Sequence, residues 1–158
     1  MKTLKCLVLC FLILTLIGCS TRQSNLERRY EVSTDVVMVS DSAYVYMPLP
    51  DRMIFHIINN SSKTFKYCLI KMIEKNIDGV WRTVRPTTSY GVADISVKLE
   101  PFARDEYIFH VSFYYDRLVS GRYRIAKIIH EIVGDWDLTV KGSYVVFAEF
   151  IIKEADSN

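Results

Sequence analysis

Between Ser33 and Lys153 no stretch of the chain holds a helical period. Short runs rich in Val, Ile, Tyr and Phe recur instead, parted by turn residues, with apolar side chains at every second position. In the closing run "YVVFAEFIIK" (144–153), Tyr144, Val146, Ala148, Phe150 and Ile152 share one face of an extended chain. The same reading predicts strands in "STDVVMV" (33–39), "YVYM" (44–47), "RMIFHII" (52–58), "FKYCLIKMIEK" (65–75), "VWRTVR" (80–85) and "ISVKL" (95–99). It continues with "YIFHVSF" (107–113), whose Tyr107, Phe109, Val111 and Phe113 point inward, and "RYRIAKIIHEI" (122–132). Seven to nine short strands and no helix predict an all-β fold, an antiparallel β-sandwich.

Turn chemistry supports that layout. Asp78-Gly79 is the strongest hairpin signal, because a two-residue connection needs positive φ at its central residues. "NNSSK" (59–63) is a turn cluster. The adjacent Ile128 and Ile129 blur the alternation and leave room for a bulge within 126–132. "LVSGRY" (118–123) resembles the tyrosine corner of immunoglobulin-like sandwiches, in which the Tyr opens a strand and its hydroxyl bonds backward to the chain. On that resemblance Tyr123 plugs one end of the core.

Together with "INNSSKTFKY", "IEKNIDGVWRTV", the "LEP" of 99–101, "LVSGRYRIAK" and the closing "AEFIIK", this makes residues 33–154 similar to the bacterial immunoglobulin-like domain of small envelope lipoproteins. The order of the pieces is the specific part. The resemblance implies a noncatalytic envelope domain and carries over no catalytic residue. Two departures stand out: "EPFARDE", with Ala103 where a glycine turn is expected, and the long polar stretch "GDWDLTVKG" (134–142).

The N-terminus gives an address. Lys2 and Lys5 precede an apolar run from Cys6 to Gly18, roughly 20 Å as a helix and short of the ~30 Å hydrocarbon core. A basic start, a short apolar run and a small residue before the cut make a secretory signal over residues 1–18. Leu16-Ile17-Gly18-Cys19 resembles the bacterial lipobox. The resemblance implies a diacylglyceryl group on the Cys19 thiol, cleavage before it, and an amino terminus acylated by a fatty acid such as palmitate. Two or more acyl chains anchor stably where one does not. Cys19 and the polar residues to 32 then read as a tether, and the expected location is the cell envelope, with the choice of outer or cytoplasmic membrane left open.

Removal of residues 1–18 takes Lys2 and Lys5 from a Lys+Arg total of 20, leaving 18 against 18 Asp+Glu. A neutral mature chain lacks the basic field that attracts nucleic acid. Cys6 and Cys10 leave with the signal and Cys19 is taken by lipid, so Cys68 has no disulfide partner and reads as a buried, inert thiol.

No nucleophile elbow, phosphate-binding Gly loop or His-Glu-x-x-His motif is present. No cofactor and no metal are expected. The alternative is an envelope enzyme whose metal site joins His110 and His130 with Asp135 or Asp137. Trp136, flanked by Asp135 and Asp137, is the foremost candidate anchor for an envelope protein or glycan, since exposed aromatics among polar groups commonly anchor partners. Tyr114 and Tyr115 form a second candidate, and Trp81 reads as sheet packing beside the hairpin. A purely structural accessory of an envelope assembly is the remaining alternative.

Overall fold

The computed structural model describes residues 24–69, 72–88, 96–115, 117–134 and 139–155. Two sheets pack face to face. The strands, numbered along the chain, are β1 (Glu31–Val32), β2 (Val36–Ser40), β3 (Tyr44–Tyr46), β4 (Met53–Asn59), β5 (Thr64–Cys68), β6 (Met72–Ile77), β7 (Val80–Val84), β8 (Ser96–Leu99), β9 (Arg104–Phe109), β10 (Gly121–Val133) and β11 (Thr139–Lys153). Helix α1 (Asn25–Arg29) precedes β1 and the single turn α2 (Val111–Tyr114) follows β9. The small sheet runs β2-β4-β9. The large one runs β1-β11-β10-β5-β8, with β3 also paired to β11 and the β6–β7 hairpin paired to β10.

The alternation seen in the sequence fills the space between the sheets. Phe55 and Ile57 of β4, Tyr107 and Phe109 of β9, Ile125 and Ile129 of β10 and Phe150 of β11 are all buried there. The Phe55 ring meets Phe150 edge-on at 6.1 Å, and Tyr123 stacks on Phe150 at 5.8 Å. Each such aromatic buries about 150–250 Å², and this layer supplies most of the cohesion.

Three local devices close the sandwich as the sequence leads one to expect. Asp78 (φ 51°) and Gly79 (φ 78°) make the hairpin turn between paired Ile77 and Val80. The Tyr123 hydroxyl donates to the Val119 carbonyl at 2.8 Å, forming the tyrosine corner. Gly121 beside it has φ 148°, and a Cβ there would lie 2.9 Å from the Lys75 side chain. The bulge in β10 falls between Glu131 and Ile132.

Other expectations are corrected. Residues 65–75 form two strands, β5 and β6, which occupy successive lengths of the same edge of β10. Where the edge changes hands, Lys127 sits fully buried at an inward position between Ile125 and Ile129. Its ammonium donates to the Cys68 carbonyl at 3.0 Å and lies 3.8 Å from the Tyr107 ring centroid. A charged donor thus meets a carbonyl at the end of β5. Cys68 itself is half-buried, not buried.

The strand predicted over 107–113 ends at Phe109. Helix α2 then buries Val111 and turns Phe113 outward to 61% exposure, against its expected inward place. The positive φ of the "EPFA" turn falls on Phe102 (58°), not Ala103, whose amide closes the turn on Glu100 at 3.2 Å. Buried Asn59 ties this turn to the 59–63 cluster: its amide donates to the Lys63 and Glu100 carbonyls, and its oxygen accepts from the Ser61 amide and hydroxyl.

Residues 24–32, predicted to be tether, are folded. Ser24 and Glu27 form a reciprocal capping box that starts α1. Leu26 packs on Ala126 and Val145, on the outer face of the large sheet, and β1 then pairs in parallel with β11.

Candidate binding surfaces

The first surface is built from β3. In "YVY" the middle residue Val45 is buried, so Tyr44 and Tyr46 turn out, 47% and 53% exposed. β3 pairs only with β11 among the described residues, and Pro48 and Pro50 follow it directly. Proline cannot donate to a ladder, so the strand stops there. An open cleft of about 350 Å³ lies between β3 and the adjoining ends of β2 and β4, lined chiefly by Asp41, Tyr44, Tyr46, Pro48, Pro50 and Arg52. The Lys153 ammonium covers the Tyr44 ring at 4.0 Å. This size lies at the low end for ligand pockets, and the mixture of rings, prolines and opposite charges suits a stretch of chain, peptide or glycan.

The second surface is the outer face of the large sheet around Arg124. β10 alternates, so Arg124 and Ala126 face away from the main core while Tyr123 and Ile125 face into it. Arg124 donates to Glu74 of β6 at 2.8 Å and to Glu27 of α1 at 2.7 Å. Its guanidinium lies over the rings of Phe147 (3.7 Å) and Trp81 (4.4 Å). Trp81 therefore clamps cross-strand neighbours, as the hairpin position implies. Burial pushes the Glu27 carboxyl up, but the bonds from Arg124 and the Ser24 amide, with the arginine's charge, outweigh it and hold the pKa below the ordinary value.

Farther along the same face, Ser143, His130, Lys66 and Lys98 form one row across four strands. His130 bonds to the Ser143 hydroxyl at 2.8 Å, and burial, helped by the Lys66 charge, lowers its pKa. Within the main core the Tyr67 hydroxyl donates to Asp105 at 3.0 Å, and burial, then that bond, raises its pKa well above the usual tyrosine value.

The residues nominated by the sequence fare unequally. Cys19, Asp135, Trp136 and Asp137 lie outside the described residues. Tyr115 is a core residue, 2% exposed and edge-on to Phe109, which corrects its nomination as a binding residue. Tyr114 is half-buried, stacked on Phe109, with its carbonyl accepting from the Thr87 amide and hydroxyl. His110 follows the small sheet at the end where Phe109 pairs with Met53. His130 lies on the large sheet, near the opposite end, where Ile132 pairs with Thr64. The histidine pair is not brought together, and no group of three metal-ligating side chains occurs among the described residues. The cleft beside β3 was missed; its one sequence signal is the exposed-type "YVYMPLP", two tyrosines alternating ahead of two prolines.

The family model described as bacterial Ig-like domain matches residues 33–151. The chain belongs to that family. Its members are generally noncatalytic and often extracellular or envelope-associated. No curated protein matches the chain. Among solved structures, a Pseudomonas fluorescens alkylpurine DNA glycosylase, AlkC, bound to DNA containing an abasic site analog, is similar with a TM-score of 0.30 and 14% identity. The match covers 77% of this chain and 31% of that one, so the chain spans about a third of the glycosylase's length. Among the described residues no helix is long and apolar enough to cross a membrane.

Proposed function

We propose that this Ig-like domain is a lipid-anchored, noncatalytic module of the bacterial cell envelope that binds a protein or glycan. The observation that carries the reading is Leu16-Ile17-Gly18-Cys19 at the end of a short apolar run behind two lysines. Sorting and anchoring are what a sulfur nucleophile at that border is for, and a domain confined to a surface works by adhesion or steric placement. The family supports the noncatalytic part. Two candidates are on offer for the partner: the polar sequence stretch bearing Trp136, and the Tyr44–Tyr46 cleft.

Mass spectrometry of the protein from its own cells tests the anchor: a diacylglyceryl adduct on an N-terminal Cys19 is expected, and an unmodified chain refutes it. Detergent crosslinking with Trp136→Ala and, separately, Tyr46→Ala tests the partner. Loss of one crosslinked species in either variant assigns the face. A species retained in both points to a scaffold contact elsewhere, and none at all refutes binding.

A further inference from the structure

Helix α1 makes the linker far shorter than the sequence implies. We infer that the outer face of the large sheet, around α1, is held against an anionic bilayer surface, with the small sheet facing away. The inference rests on the anchoring reading above. Only Ser20, Thr21, Arg22 and Gln23 separate Cys19 from Ser24, so that stretch spans at most about 18 Å fully extended. Ser24 is itself buried and locked by its reciprocal bonds with Glu27, and Glu27 is bonded to Arg124 of the sheet. The described chain therefore starts on the outer face of the large sheet, beside Arg124.

The charge on that face fits the partner. Arg28 and Arg29 are exposed on α1 and Lys66 sits in the His130 row, and none of the three has an ion pair among the described residues. Basic side chains within a Debye length of an anionic leaflet are attracted to it, by about 1 kcal/mol each. The opposite face of the sandwich is different: Val37, Val39 and Ile108 are exposed there, 37–42% of each. Tethered in this way, the domain presents that aliphatic face away from the lipid.

The test uses the full lipidated protein in vesicles of phosphatidylethanolamine and phosphatidylglycerol, with Cys68→Ser as background. A fluorophore is placed at Asn25→Cys on α1 or at Val37→Cys on the small sheet, and quenched by lipids carrying a nitroxide headgroup. Several-fold stronger quenching at 25 than at 37 is expected. Equal or reversed quenching overturns the orientation. A spacer of about twenty Gly/Ser residues between Gln23 and Ser24, or Arg28→Glu with Arg29→Glu, is expected to shrink the difference. A difference that survives both changes overturns the tether-and-charge cause. Flotation with the vesicles, scored in every sample, reports anchoring separately: a protein that fails to float refutes the lipid anchor, whereas one that floats without a quenching difference refutes only the orientation.

Discussion

The large sheet has a core on each side, and the two are built on opposite rules. Between the sheets, aromatic and aliphatic side chains from seven or more strands meet, with Lys127 as a single buried cation whose ammonium reaches a backbone carbonyl. On the outer side only Leu26, Ala126 and Val145 are buried apolar residues among the described ones, with Tyr30, Met72 and Phe147 partly buried against them, and a charged group, Glu27, Arg124 and Glu74, shares the cover. The first core is held chiefly by close packing of apolar side chains. The second depends on a few directional bonds and is incomplete even so, since one Glu74 oxygen and one Arg124 nitrogen are buried without a partner among the described residues. Cohesion lies in the first; the second decides where the N-terminal segment is held.

That contrast can be broken by paired substitutions. Phe150→Ala in the main core is expected to cost about 3–5 kcal/mol, read as a lowered urea midpoint. Arg124→Leu is expected to cost a similar amount, about 3–5 kcal/mol, because it strands the buried Glu74 carboxylate. The two then part company. Adding Glu74→Leu to Arg124→Leu is expected to restore most of the loss, since an incompletely satisfied buried pair is often no better than an apolar one, whereas no single addition repairs Phe150→Ala. If the double variant stays as unstable as Arg124→Leu alone, the ion pair is integral to the fold and the contrast fails.

A smaller effect separates well-satisfied from poorly satisfied buried polarity. Asn59 makes four hydrogen bonds in the turn end of the main core. Asn59→Ala leaves the Lys63 and Glu100 carbonyls without their donor and is expected to cost about 2–3 kcal/mol. Unlike the Arg124 case, no apolar partner substitution recovers it, because the stranded groups are backbone. A recovery by Ser61→Ala would contradict that account.

How much of this was legible follows the same division. Period-two alternation made the strand from Tyr144 to Ile152 readable, and turn chemistry made Asp78-Gly79 and the Tyr123 corner readable, because each is a local signal with one geometric solution. Helix α1 was not, since five residues with one leucine hold no period; its only trace is Ser24 and Glu27 at capping-box spacing. Val111 and Phe113 fit a strand's alternation, whereas the turn there is held by tertiary contacts, Tyr114 and Tyr115 on Phe109 and the Thr87 and Thr88 hydroxyls on the Tyr114 and Phe113 carbonyls. The split of β5 from β6 depends on which length of the same β10 edge each pairs with, a nonlocal fact. For the site, Cys19 lies outside the described residues and its nomination rests on the resemblance of residues 16–19 to a lipobox, whereas the Tyr44–Tyr46 cleft arises from the meeting of β3 with β2 and β4, which are paired in different sheets.

Strain gives a prediction of the opposite sign. Phe102 holds φ 58°, a left-handed conformation that costs a side-chain-bearing residue about 1–2 kcal/mol, and its ring is 71% exposed, so little packing offsets the cost. Phe102→Gly is expected to stabilise the domain by about 1 kcal/mol, seen as a raised urea midpoint with an unchanged slope. A loss of stability would mean that the exposed ring packs against something the isolated domain also contains.

The smallest effect is confined to the outer core. Because the folded Glu27 pKa lies below its unfolded value, near 4.3, its contribution is fully present above that value and fades as pH falls through the folded one. Acid should therefore loosen α1 first. Arg28 and Tyr30 donate their amides to Ser24 and Leu26 within the helix, so their NMR shifts are expected to move toward random-coil values at a pH where the Ile125 amide, in the middle of β10, is unmoved. Glu27→Gln should flatten that dependence while leaving Leu26 in place. If α1 and β10 instead titrate together in both proteins, Leu26 and β1 hold the segment, and the carboxylate is incidental to where the domain is gripped.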